Sequence, residues 1–173
     1  MSICYPKRTD RPIFAALVTQ CSSLGIPFLD PAEVLRQSPL RSRYDIALDA
    51  LFGFSFAGPP VRPPFAALLG LMEPGAGPPP AVVSVDVPSG WDVDAGPPSE
   101  HSGGGGGGGT GGLAPDLLVS LTAPKPCSVA FKGDHHYLGL RGLPPGARER
   151  YPALGRLPAF PGAAQCVKLP RLS

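Results

Sequence analysis

No stretch of this 173-residue chain approaches the roughly 20 uninterrupted apolar residues that a membrane-spanning helix needs. The opening segment, which holds Lys7, Arg8, Asp10 and Arg11, has no apolar run of signal-peptide length. Charge is sparse at 16% of residues, and fifteen basic against thirteen acidic side chains leave a net charge of +2. The lysines and arginines are scattered, so neither nucleic acid nor an anionic membrane is expected as a partner, and the chain reads as soluble. Cysteine is scarce as well. Cys4, Cys21, Cys127 and Cys166 lie far apart, with no CxxC and no histidine-paired spacing. That excludes the common zinc modules and a disulfide scaffold, and leaves free or buried thiols.

Glycine and proline, by contrast, are abundant: 23 and 25 residues, together more than a quarter of the chain. Such a share marks loop-rich stretches, here concentrated at 58–64, 74–80, 96–112 and in the tail. Between them the signals are regular. From Pro12 to Gly25 the apolar positions Ile13, Phe14, Leu17, Val18, Cys21 and Leu24 follow helical spacing, which predicts a helix capped by Asp10 and stopped by Gly25. Residues 26–29 suit a short strand and residues 31–37 a helical turn. Three runs, 46–51, 82–87 and 117–121, are short and nearly all apolar, as expected of strands in a parallel sheet covered on both faces. A helical segment from Phe65 to Met72 joins the first two in a βαβ crossover. The expected fold is a single α/β domain over residues 1–173, with an open, doubly wound sheet. The glycine run from Gly103, broken only at Thr110, leads into a strand rather than a helix. It is expected to be a flexible insertion at about 97–112 and not a phosphate cradle.

Parallel strands set all their carboxyl ends on one edge, where ligands of such sheets bind. Asp49, Asp86 and the segment from Thr122 to Lys125 converge there. Asp86 ends an apolar strand, a costly place to bury a carboxylate. It either caps the turn that follows or serves as a general acid/base. Asp49 either bonds neighbouring backbone or, with Ser89, offers oxygen ligands to a hard cation. In the loop from Gly53 to Gly58, the rings of Phe54 and Phe56 either join the core or cover a flat heterocycle, with backbone amides holding phosphate. Lys125 has the ordinary reading of a solvated loop lysine. His135 and His136 have no metal-ligand partners at a recognisable spacing.

The ordered set of segments resembles the NAD(P)H-hydrate epimerase family, the YjeF N-terminal domain also known as apolipoprotein A-I binding protein. The matching stretches are 5–8, 16–21 with 26–29, Asp49 to Phe56, Val85 to Asp92, Pro115 to Lys125 and His136 to Gly139. The resemblance implies a Rossmann-like three-layer sandwich with a mainly parallel sheet. It also implies an enzyme that interconverts the R and S epimers of NADHX and NADPHX, nicotinamide cofactors hydrated at C6. By position, Asp86 matches the catalytic and substrate-binding aspartate. Asp49 and Ser89 match ligands of a potassium ion, and Gly53, Phe54, Ser55, Phe56, Ala57, Gly58 and Pro59 match the substrate-binding loop. The family name adds apolipoprotein A-I as a candidate partner and a catalytically impaired binding protein as the alternative. A homodimer and a cytoplasmic or mitochondrial location are further expectations. Two departures stand out. Nothing before Ile3 corresponds to the family's N-N-G-G-D-G segment, another source of potassium ligand and dinucleotide site, so an N-terminally truncated domain is expected. Relatives often have Gly-Asp-Val in the substrate loop, whereas Gly58-Pro59-Pro60-Val61 here lacks the acid and is stiffer.

Overall fold

The computed structural model describes residues 1–37, 39–56, 61–73, 79–98, 112–139, 143–144 and 146–170, so the glycine run expected to be a flexible insertion lies almost wholly outside the described residues. The elements are β1 (Ile3–Cys4), α1 (Pro12–Ser23), β2 (Phe28–Leu29), α2 (Pro31–Arg36), β3 (Ile46–Asp49), α3 (Phe65–Gly70), β4 (Ala81–Val85), β5 (Leu117–Leu121), β6 (His135–Gly139), α4 (Ala147–Arg150) and β7 (Cys166–Lys168). β1 and β2 form a small parallel pair, while the main sheet runs β3-β4-β5-β6-β7. Its first four strands are parallel and β7 closes it antiparallel to β6. This is the mainly parallel, Rossmann-like α/β architecture expected.

The crossover from β3 through α3 to β4 forms because adjacent leucines on α3 serve two clusters. Leu68 packs with Val34 and Leu40, and Leu69 with Val82 and Leu113. A third cluster of Val87, Trp91 and Cys127 lies beyond β4, and Trp91 Nε1 donates to Leu113 O at 2.8 Å. That bond satisfies the indole N–H at a buried position, as buried tryptophan requires.

Three expectations need correction. α1 is not capped by Asp10: Arg11 is its N-cap, extended and without a side-chain bond, because Pro12 starts the helix with a preset φ. Its end is as expected, with Gly25 at φ 69° and the bonds Gly25 N→Ser22 O at 3.0 Å and Ile26 N→Cys21 O at 3.0 Å. The apolar stripe of α1 is helical in spacing but unburied, since no residue of the helix is buried and Ile13 and Leu17 are exposed. Likewise β4 and β5 bury alternate residues fully, whereas β3 leaves Ile46 62% and Leu48 64% exposed. β3 is an edge strand, and among the described residues nothing covers that face.

β6 carries a buried histidine. His136 Nε2 meets Ser120 Oγ at 2.9 Å, which explains a fully buried serine in the apolar run of β5. Burial pushes the His136 imidazole below its ordinary 6.5. The unfolded chain therefore takes up a proton near pH 6.5 that the folded chain refuses. Stability from this group is complete above that pH and falls as acid is added, by at most about 1.4 kcal/mol per pH unit. Melting temperatures measured from pH 7.5 to 5 should decline more steeply for wild type than for His136→Gln. Parallel curves would rule His136 out as the source.

Candidate active site

Because β3, β4 and β5 are parallel neighbours, with Asp49 in register with Ser84 and Val85 with Val119, their carboxyl ends share one edge. There β4 and β5 end alike. Asp86 has φ 72° and Thr122 φ 68°, the only non-glycine residues with positive φ among those described. Each sits at the centre of a γ-turn, closed by Val87 N→Val85 O at 3.0 Å and by Ala123 N→Leu121 O at 2.8 Å. Such a conformation costs a non-glycine residue of order 1–3 kcal/mol and persists only where the surroundings hold it. Here the neighbouring strands do so, through Asp86 N→Val119 O at 2.7 Å and Thr122 N→Gly139 O at 3.1 Å.

The turn on β4 brings Asp86 to the edge with 8% of its surface exposed. Its Oδ1 accepts from Leu121 N at 3.3 Å and from the Lys125 ammonium, and its Oδ2 accepts from Phe54 N at 3.4 Å. Lys125 is therefore no solvated loop lysine, and the sequence reading missed it. Its Nζ also donates to Leu121 O at 2.8 Å and Ala123 O at 3.2 Å. The sequence placed Thr122 to Lys125 just beyond a buried strand at the ligand edge, and nothing in it showed the fold-back that turns the ammonium to Asp86. Nearby, burial pushes the Cys127 thiol up, and the Asp86 charge adds to that effect.

Asp49 and Ser89 are in direct contact. Asp49, 1% exposed, accepts at Oδ1 from Ser89 Oγ at 2.5 Å and Leu51 N at 3.4 Å. At Oδ2 it accepts from Ser84 Oγ at 2.8 Å and Ser89 N at 2.8 Å. Ser89 Oγ in turn accepts from Phe52 N at 3.1 Å. Asp49 is thus a buried carboxylate whose described partners are all neutral. Buried charges are normally paired or bound to a metal ion. The oxygens of Asp49 and of the serine hydroxyl beside it are the donor type of a hard cation, and each carboxylate oxygen already accepts two hydrogen bonds within the protein. Among the described residues no group of three or more His, Cys, Asp or Glu could hold a metal ion.

The connection after β3 is laced to both carboxylates through the amides of Leu51, Phe52 and Phe54. Two amides of the loop considered for phosphate are engaged within the protein, that of Phe54 by Asp86 and that of Phe56 by Gly53 O at 3.0 Å. The two rings are placed differently. Phe56 stacks on Phe52 with centroids 4.6 Å apart, and Phe52 packs on Phe65 at 5.1 Å. Phe54 remains 67% exposed, next in sequence to exposed Ser55. Ala57, Gly58 and Pro59 lie outside the described residues. A cavity of about 640 Å³, lined by Ser128, Phe131, His136 and Lys168 among others, shares no residue with this cluster. Chemistry rather than hollow volume picks out the edge at Asp86.

Comparison with known proteins agrees with this architecture. The profile of the family described as YjeF-related protein N-terminus matches residues 2–127. An Arabidopsis thaliana protein named pyridoxine/pyridoxamine 5'-phosphate oxidase 1, chloroplastic, is 43% identical over 173 aligned residues, covering 96% of this chain and 30% of that protein. The crystal structure of yeast ynu0, YNL200c, is similar with a TM-score of 0.75 at 34% identity, covering 97% of this chain and 65% of that one. The chain thus spans under a third of the plant relative and just under two thirds of the yeast one.

Proposed function

The chain belongs to the YjeF-related N-terminal family, and from that membership we propose that it is an epimerase of hydrated nicotinamide dinucleotides, interconverting the R and S forms of NADHX and NADPHX. The observation that carries the proposal is Asp86: a carboxylate held by a strained turn at the ligand edge of a parallel sheet, ion-paired and nearly buried. Residues kept in such conformations and such electrostatic surroundings cluster at functional sites. Carrying a proton on the oxygen that Lys125 does not hold, Asp86 protonates the leaving C6 hydroxyl, which departs as water while the ring nitrogen's electron pair forms the C=N bond. As base, it takes back the proton when water adds to the other face of C6. The exposed ring of Phe54, whose own amide donates to Asp86, supplies a flat apolar cover for the nicotinamide, and the loop from Gly53 to Pro59 supplies the rest of the substrate contact.

Potassium belongs to the same proposal, with Asp49 and Ser89 as its protein ligands. A bound potassium ion would supply a countercharge to buried Asp49, whose described partners are all neutral. A second reading, a binding protein of the same fold with apolipoprotein A-I as the partner named by the family, is favoured by the exposed apolar residues Ile13, Leu17 and Leu24 of the α1 region and Ile46 and Leu48 of β3.

The deciding assay mixes purified chain with R-NADHX and an S-specific dehydratase. Consumption of the R form should outpace its spontaneous epimerisation. Equal rates with wild type and with no protein would end the catalytic reading and leave the binding one.

A further inference from the structure

We propose that Lys125 is the positioning residue for Asp86, a strut that occupies Oδ1 and leaves Oδ2 as the oxygen turned to the reacting atoms. The orientation stands on geometry alone, while its catalytic consequence rests on the epimerase reading above.

An ammonium has three N–H donors. Those of Lys125 have three acceptors, Asp86 Oδ1, Leu121 O and Ala123 O. With every donor taken, Lys125 has none to spare for a substrate phosphate, so the role of anion receptor that a lysine at a nucleotide site would suggest does not fit. The seat for the ammonium is built by Thr122. Its positive φ and the Ala123 N→Leu121 O bond fold the chain back on itself, so that the two carbonyls flanking Thr122 meet one Nζ. Lys125 thereby ties the turn ending β5 to the turn ending β4.

The two carboxylate oxygens of Asp86 are consequently unequal. Oδ1 takes an ammonium and the Leu121 amide, while Oδ2 takes only the Phe54 amide, at 3.4 Å. An ionised carboxylate oxygen has room for about two hydrogen bonds. Oδ2 therefore keeps acceptor capacity, on the side of the Phe54 amide. Freed from Lys125, the carboxylate could rotate and exchange its oxygens. Displacing a catalytic group by about 1 Å can lower a rate by about 10²-fold.

The test uses the full chain with Lys125→Met, Lys125→Arg and, should the methionine variant not fold, Lys125→Gln. In steady-state epimerisation of R-NADHX, Lys125→Met should lower kcat by about 10²-fold with KM within about twofold of wild type. Lys125→Arg should regain part of the loss. An independent readout is the amide proton resonances of Phe54 and Leu121, which donate to the two Asp86 oxygens. Both should move in Lys125→Met and stay near their wild-type positions in Lys125→Arg. If wild type shows no epimerase activity, the functional reading fails, and the amide shifts still decide whether Lys125 orients Asp86. Unmoved Phe54 and Leu121 amides, or a Lys125→Met enzyme with wild-type kcat, would overturn the proposal.

Discussion

Asp86→Asn should slow R-NADHX epimerisation by about 10²- to 10⁴-fold, the usual worth of a positioned general acid/base, while the protein stays folded. The amide matches the carboxyl in size and keeps an oxygen to accept from Lys125 or from the backbone. It cannot carry and return a proton. Structural loss should be small, because the γ-turn at Asp86 is closed by backbone groups, Val87 N→Val85 O and Asp86 N→Val119 O, that the substitution leaves alone. Asparagine also tolerates positive φ better than most residues. Activity and stability should therefore separate: a collapsed kcat in the dehydratase-coupled assay beside a thermal melt within a few degrees of wild type. A mutant as active as wild type would remove Asp86 from the chemistry.

Asp49→Ala should act the other way round, on folding first. It removes the common acceptor of Ser84 Oγ, Ser89 Oγ, Ser89 N and Leu51 N in a place closed to bulk water. The serine hydroxyls can turn towards other acceptors, but the Ser89 amide is fixed by its backbone. Each stranded donor costs about 1–3 kcal/mol, so a loss on the order of 3–5 kcal/mol is expected, a large part of a domain's stability. Urea titrations read this as a lower midpoint at an unchanged slope. The same variant tests the cation. Wild type should melt higher in potassium chloride than in choline chloride at equal ionic strength, and Asp49→Ala should show no such gain. Identical wild-type melts in the two salts would remove potassium from the site.

What the sequence disclosed was local. β4, β5 and the α3 crossover were legible because short apolar runs and a helical segment between them are written in neighbouring residues. The placement of Asp49 and Asp86 at one edge followed from parallel strands alone. β6 and β7 were not legible as strands. β6 opens on two histidines, one of them buried with its ring nitrogen bonded to Ser120 on the adjacent strand, and β7 is three residues within a proline-rich tail. Spacing showed that α1 has an apolar face, but it cannot show whether anything lies against that face. The role of Lys125 depended on Thr122 taking positive φ, and threonine gives no hint of it, being a β-branched residue for which that conformation is rare. The loop phenylalanines could not be sorted by sequence either, because stacking of Phe56 on Phe52 follows from the path of the chain between them.

β3 carries Ile46 and Leu48 outward and neither lysine nor proline to guard its rim, yet the same four residues end in Asp49, the most deeply sunk acid of the cluster. Rims are where sheets fray first and where copies of a chain stitch together when crowded. The carboxylate thus acts as a rivet: it clamps an unguarded strip of the sheet to its neighbour, so whatever peels that strip away during synthesis or storage dismantles the edge that carries Asp86 in the same motion.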